Sequence, residues 1–206
     1  MVNVDHPFQD IETSLKKAAG ALKRARVPFV LGGSLAVWVR GGPEARKDLD
    51  FMVKEEDAER ALQALVDDGM RPEHPPEDWL LKAWDGEVMI DLIFRALELP
   101  VTDEVIERGE EMNVFSIQMP VMSLDDVIST KLLSLNEHHL RYDSILQMSR
   151  AVREQVDWDA VWDRTKRSPY ARVFFKLLAE LDVITPPAQV DGKGKQIRVV
   201  GEASRS

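Results

Sequence analysis

The sequence predicts an α+β chain. A mixed sheet with flanking helices is expected over residues 1–120, a helical bundle over 121–184 and a flexible tail over 185–206. Three observations predict it. Asp48 to Val53 alternates, with Leu49, Phe51 and Val53 on one side and Asp48, Asp50 and Met52 on the other, the period of a strand. Leu80–Trp84 and Glu87–Arg95 flank Asp85-Gly86, a pair suited to the positive φ angles of a tight hairpin turn. After Pro120 the periodicity is helical only, so the boundary there divides two domains or two layers of one.

The elements follow in order. Ile11, Leu15, Ala18, Ala19 and Leu22 recur on one face of a helix from about Ile11 to Arg24. Val27–Leu31 is a short apolar run that reads as a buried strand, ending at Gly32-Gly33-Ser34. Leu35 to Val39 is helical until Gly41-Gly42-Pro43 breaks it. A second amphipathic helix spans Asp57 to Asp68, with Gly69 as its stop. Arg71 to Asp78 holds three prolines and reads as loop. Val114 to Met119 is one further strand. Helices follow near Leu124–Leu135, Asp143–Val152 and Asp159–Thr165, the first opened by the cap-like Ser123-Leu124-Asp125-Asp126. Ser168-Pro169 opens the last helix, Ser as N-cap and Pro at the first helical position. Gln196–Val200 is a candidate for a brief strand in the tail.

Composition narrows the chemistry. The absence of cysteine excludes a disulfide framework, a zinc–cysteine site and a thiol nucleophile. Four scattered histidines argue against a histidine-rich metal site, and adjacent His138-His139 do not share a helix face. A net charge of -9 argues against broad, non-specific nucleic-acid binding, though not against a local basic groove. Arg40, Arg46 and Lys47 form one basic group, and Arg164, Lys166, Arg167 and Arg172 a second. Met1–Asp10 lacks the basic and apolar regions of a signal peptide, and no apolar run approaches the roughly 20 residues that cross a bilayer. The chain therefore reads as cytoplasmic and soluble, with no membrane partner.

The candidate chemistry lies in three carboxylates and a glycine turn. A period of two puts Asp48 and Asp50 on one face of a strand, where their mutual repulsion is relieved by a divalent cation. Oxygen ligands favour Mg²⁺ or Mn²⁺, which also coordinate nucleotide phosphates. Asp91 is a lone carboxylate among Val88, Met89, Ile90, Leu92 and Ile93. If its strand neighbours Asp48–Val53, Asp91 can serve as a general base or as a ligand of a second metal. Gly33 and Ser34, between a strand and a helix, suit backbone approach to phosphate, with the Ser34 hydroxyl as a further donor. Each feature also has a bland reading: an ordinary turn, a solvated strand face, a structural ion pair for Asp91. Arg46 and Lys47 are placed to hold a triphosphate or an acceptor phosphate, or form a flexible basic loop. Trp158, Trp162, Phe174 and Phe175 lie at helical spacing and read as core.

Gly33-Ser34, thirteen intervening residues, Asp48-Leu49-Asp50 and then Asp91 on a later strand resemble the DNA polymerase β-type nucleotidyltransferase superfamily. The flanking text, Phe29–Ala36 and Arg46–Phe51, is similar to its AbiEii-like and MenT-like bacterial toxin branch. A lysine and an aspartate on later helices complete the site in that branch, and Lys131 and Asp143 are the matching positions. Asn136-Glu137-His138-His139 replaces the basic spacing between them.

The resemblance implies an NTP and Mg²⁺ (or Mn²⁺), with an acceptor hydroxyl attacking the α-phosphate and pyrophosphate leaving. It implies metal-holding roles for Asp48 and Asp50. Asp91 would activate the acceptor or join the metal site, Ser34 beside Gly33 would grip the phosphate tail, and Lys131 and Asp143 would complete the nucleotide site. It favours a toxin that modifies the 3′ end of tRNA, with a cognate antitoxin as partner. Two alternatives stay open: modification of a small molecule such as an aminoglycoside, and a non-catalytic module that binds nucleotide or a partner protein.

Overall fold

The computed structural model describes residues 8–44, 48–96 and 99–185. Arg46, Lys47, the segment 186–206 and the candidate strand Gln196–Val200 lie outside the described residues. The α+β expectation holds. Helix α1 (Phe8–Arg24) leads to β1 (Phe29–Leu31), α2 (Gly33–Trp38), β2 (Asp48–Val53) and α3 (Ala58–Asp67). Strands β3 (Arg71–Glu73), β4 (Leu80–Asp85), β5 (Val88–Ile93), β6 (Arg95–Ala96) and β7 (Leu99–Pro100) follow. A short α4 (Asp103–Glu107) precedes β8 (Glu110–Val114) and β9 (Ile117–Val121). The rest is helical: α5 (Leu124–Leu133), α6 (Tyr142–Val152), α7 (Trp158–Thr165) and α8 (Pro169–Glu180).

Seven strands form one sheet in the order β3-β4-β5-β2-β1-β9-β8, and β6 and β7 form a separate ribbon. The pairing of β2 with β5 is parallel and sets Asp48, Leu49, Asp50 and Phe51 beside Met89, Ile90, Asp91 and Leu92. Leu49, Phe51, Val53, Ile90 and Leu92 are fully buried on one face. Helix α1 covers that face, since its Ser14 and Lys17 bond Asp85, which alternation puts on the same side of β4 as Ala83. Burial of this apolar layer is the main term holding the sheet to its helices. Asp48, Asp50 and Asp91 stand on the opposite face.

Three local expectations are corrected. Residues 71–73 form a strand despite Pro72, because β3 is the sheet edge and a missing N–H is tolerated there. The β4–β5 loop is Gly86-Glu87 rather than Asp85-Gly86, because Asp85 already pairs with Val88 and Gly86 supplies the positive φ of 61°. The single strand at Val114–Met119 is a hairpin, β8 and β9, whose turn residues Phe115 and Ser116 have φ of 48° and 68°. That is the φ pattern of a tight hairpin turn, carried here by residues that do not advertise it.

The helical part matches its signals. Ser123 accepts from the Asp126 N–H and Ser168 from the Ala171 N–H, with Pro169 in the first turn of α8. Trp162, Phe174 and Phe175 are core, with the Trp162 and Phe175 rings edge-to-face at 5.1 Å. Asp126, buried at the start of α5, accepts from Arg108 next to α4 at 2.9 and 3.0 Å and from Arg164 of α7 at 2.9 Å. This knot ties the sheet end to the helical part. It also accounts for Arg164 of the second basic group, whose Arg172 bonds the carbonyls of Lys166 and Arg167. No helix among the described residues is long and apolar enough to cross a membrane.

Candidate active site

The site is built around Asp50. Its backbone carbonyl accepts from the Gly32 N–H at 2.8 Å, so the turn after β1 is stitched to β2 at this residue. Gly33 has φ of 61° and lies directly against the carboxylate: a Cβ there would be 1.6 Å from Asp50 Oδ2. Position 33 therefore requires glycine twice over, for its backbone conformation and for the space the Asp50 side chain occupies. Gly32 is similarly close to Met52, whose Sδ would be 2.9 Å from an added Cβ. Gly32 gives α2 no side-chain cap, so the first-turn N–H groups of the helix are not capped by the residue that precedes it. Ser34, half-buried, stands in that turn.

Asp91 is the in-register neighbour of Asp50 on β5. Parallel partners share a face, so the sequence expectation that Asp91 joins Asp48 and Asp50 on one surface is met. Asp48 is exposed at the start of β2, and Asp50 is half-buried. Burial pushes the Asp50 carboxyl up to about 6, the Asp91 and Asp48 charges push the same way, and Lys131 and Lys82 oppose them. Burial also raises Asp91, against the pull of Lys82. The Lys82 ammonium is 2.6 Å from Asp91 Oδ1.

A cavity of about 370 Å³ opens at Asp50. The sheet lines it with Met52 and Ile93 and the β6–β7 ribbon with Ala96; Thr130 and Lys131 of α5 and Ser134 at its end line it too, as do Trp79 and Met122. Gly33 is at its edge. Beyond Lys131 and Ser134, which border both, a second cleft of about 350 Å³ is lined by His139, Arg141 and Ser144. Lys131 thus stands between the carboxylate face and a polar cleft, rather than on a solvated helix face.

The nine candidate residues divide clearly, with Ser34 next to Gly33 in the first turn of α2. Gly33, Asp50 and Lys131 border one cavity, and Asp91 and Asp48 share the sheet face with Asp50. Asp143 is exposed in the first turn of α6 and lines neither cleft. Arg46 and Lys47 fall outside the described residues. His138 and His139 are exposed beside the Asn136–His139 bridge. Among the described residues, no group of three or more His, Cys, Asp or Glu side chains is gathered closely enough to hold a metal ion. Asp91 in particular is already engaged by Lys82. Lys82, Trp79 and Ser134 were not singled out from sequence. Strand alternation alone put Lys82 on the carboxylate face, had β4 been read against β5.

A family model described as an uncharacterised nucleotidyltransferase matches residues 10–182. A comparison with curated protein sequences finds no match. Among solved structures, the solution structure of the antibiotic-resistance factor ANT(2″)-Ia is similar at 17% identity and a TM-score of 0.59, covering 87% of this chain and 97% of that one. The crystal structure of ANT(2″)-Ia with adenylyl-2″-tobramycin is similar at 15% identity and a TM-score of 0.54, covering 82% of this chain and 99% of that one. A protein of Thermotoga maritima, provisionally assigned as a nucleotidyltransferase, is similar at 18% identity and a TM-score of 0.50, covering 65% of this chain and 89% of that one. At these identities the likeness is one of fold.

Proposed function

The chain belongs to the uncharacterised nucleotidyltransferase family, and on that premise we propose that it moves an NMP from an NTP to the hydroxyl of a small-molecule acceptor with the help of a divalent metal ion. The observation that supports this most is the side-by-side register of Asp50 and Asp91, with Gly33 closed onto the Asp50 carboxylate at the mouth of the cavity.

The donor set suits a hard divalent cation: two carboxylates on alternate residues of β2, one of them pushed up to about 6 by burial and neighbouring charge. Asp48 and Asp50 would hold the ion, which when bound neutralises phosphate charge and polarises the α-phosphate. The chain's own residues do the rest. The uncapped first turn of α2, with Ser34, grips the terminal phosphates. Lys131 adds positive charge between the two clefts. Asp91 takes the proton of the acceptor hydroxyl as its oxygen attacks the α-phosphorus and pyrophosphate departs.

The acceptor class follows from the walls. Met52, Trp79, Ile93, Ala96 and Met122 make the cavity mostly apolar, while Asp50 and Lys131 offset one another in charge. A polycation would want more carboxylates; an acceptor with an apolar body and a free hydroxyl suits these walls, and the volume is that of a small-molecule site. ANT(2″)-Ia, solved with an adenylylated tobramycin, has the same fold around a small-molecule product. A second reading, transfer to the 3′ end of tRNA by a toxin with a cognate antitoxin, draws on the second cleft, where Lys131, His139 and Arg141 could meet an acceptor phosphate.

The test uses the purified chain, Mg²⁺ and each α-labelled NTP with three acceptor sets: apolar hydroxyl compounds, aminoglycosides and total tRNA. Label on an apolar hydroxyl compound, lost in Asp50→Asn, is the expected result. Label on tRNA alone moves the assignment to the second reading.

A further inference from the structure

Lys82 is absent from every motif that the sequence displays, yet its ammonium contacts a carboxylate of that face, Asp91, at 2.6 Å. It pairs with Asp91 across the β4–β5 ladder, so both side chains leave the same face of the sheet. Their side chains are only 17% and 13% exposed, and the ammonium contacts Asp91 Oδ1 at 2.6 Å and Met89 Sδ at 3.5 Å. A lysine of ordinary surface function would extend into water. This one is seated between strands.

We propose that Lys82 is the built-in counter-ion of Asp91, standing where a second metal ion would otherwise sit, so that the site takes one divalent cation, at Asp48 and Asp50. In two-metal sites the ions lie about 3.5–4 Å apart and a carboxylate is shared between them. Here a second dication would need Asp91 beside a carboxylate shared with the first ion, and on Asp91 it would face the ammonium at contact distance. The charges agree: three carboxylates (Asp48, Asp50 and Asp91) oppose two lysines (Lys82 and Lys131), which leaves one negative charge for a single dication to over-balance toward an anionic nucleotide.

Lys82 is then a positioning residue, and its role in catalysis rests on the transfer reading above. Its N–H fixes Oδ1 and leaves Oδ2 of Asp91 free. In the transfer step the acceptor O–H breaks, its proton goes to Oδ2, and its oxygen bonds the α-phosphorus. The bond from that phosphorus to the bridging oxygen breaks, and pyrophosphate leaves with the electron pair. Lys82 gives up no proton.

Mn²⁺ titration followed by electron paramagnetic resonance, without nucleotide, tests the proposal without any acceptor. Wild type is expected to show one site, Lys82→Met two and Lys82→Arg one, with thermal melts on the same samples reporting the fold. Two equivalent sites in wild type would overturn the proposal, as would a single site in folded Lys82→Met. If Lys82→Met fails to fold, the wild-type and Lys82→Arg counts decide. Once an acceptor is known, Lys82→Met should lower kcat by about 10–100-fold, as loss of a group that orients a reacting one does, with KM for NTP little changed and Lys82→Arg largely restored. Transfer to no acceptor, with the Mn²⁺ counts as expected, would defeat the transfer reading and leave this one standing. The reverse pattern would defeat this one alone.

Discussion

Two aspartates of this chain, Asp126 buried and Asp50 half-buried, have opposite surroundings. Asp126 accepts from Arg108 twice, from Arg164 and from the Ser123 hydroxyl, so its oxygens are saturated by the protein itself. Asp50 has no such saturation. Its neighbours across the sheet face are two further carboxylates, the turn at Gly33 lies against it, and its carboxyl is lifted to about 6 although Lys131 and Lys82 pull the other way. The first arrangement holds structure together. The second leaves a charge deficit in a place that folding alone would have filled with an apolar residue. On the proposed function, such a deficit at the edge of a cavity is where a cation from outside would bind.

The largest effect should come from removing that deficit. Asp50→Asn is expected to abolish nucleotidyl transfer while leaving the fold at least as stable at neutral pH, because it removes a charge the fold opposes. Label transfer and thermal melting on one preparation check both halves. An inactive variant that also melts far earlier would show that Asp50 is structural after all, and the contrast with Asp126 would collapse.

Asp126→Ala is the mirror case. It strips two arginines of their shared partner, and removing one member of a buried ion pair costs about 3–5 kcal/mol. Arg108 and Arg164 keep 41% and 30% of their side-chain exposure, so water recovers part of this and the lower end of that range is expected. Chemical denaturation would read it. The variant should retain transfer in proportion to its folded fraction.

Gly33→Ala joins the two classes of effect. The new methyl would fall 1.6 Å from Asp50 Oδ2 at a φ of 61°, so either the turn or the carboxylate must move. A strained backbone position of this kind costs about 1–3 kcal/mol. Activity should fall further than stability, since the displaced group is the one to which the proposed transfer assigns the metal ion. Equal activity in Gly33→Ala and wild type would mean that Asp50 does not work from the position described.

How much of this was readable from sequence depends on what fixes each contact. Strand β2 was legible to the residue, because Leu49, Phe51 and Val53 alternate with Asp48, Asp50 and Met52 and nothing competes with that period. The Ser168-Pro169 start of α8 was legible because the cap is a local hydrogen bond. The hairpin of β8 and β9 was hidden, since Phe115 and Ser116 adopt positive φ without the usual Asn or Gly. Lys82 was hidden by one residue of turn placement. A turn at Asp85-Gly86 sets Leu80 opposite Asp91; the actual turn at Gly86-Glu87 moves every partner by two positions and sets Lys82 there. The face survives such a slip and the partner does not. Lys131 needed tertiary packing: only the approach of α5 to the sheet brings it to Asp50.

The smallest effect is the most discriminating, because it asks whether the Asp50 deficit is paid by the fold. The folded Asp50 carboxyl holds its proton up to about 6, above its ordinary value of 3.8. Below 3.8 it is protonated in both folded and unfolded chains, and there is no penalty. As pH rises from 3.8 to 6 the unfolded chain releases its proton first, so the folded state loses stability across this window and no more above it. The melting temperature of metal-free Asp50→Asn minus that of wild type should therefore be near zero at pH 4, climb through pH 5 and level off above 6. Mg²⁺ should close the gap at pH 7.5 by raising wild type alone, since an ion that binds only the folded state stabilises it by mass action. At pH 5 the same Mg²⁺ should do less, because a protonated Asp50 is a poor ligand. A difference that is flat with pH would place the charge deficit elsewhere. A Mg²⁺ response that survives in Asp50→Asn would place the cation elsewhere, and either result would break the contrast between the two aspartates.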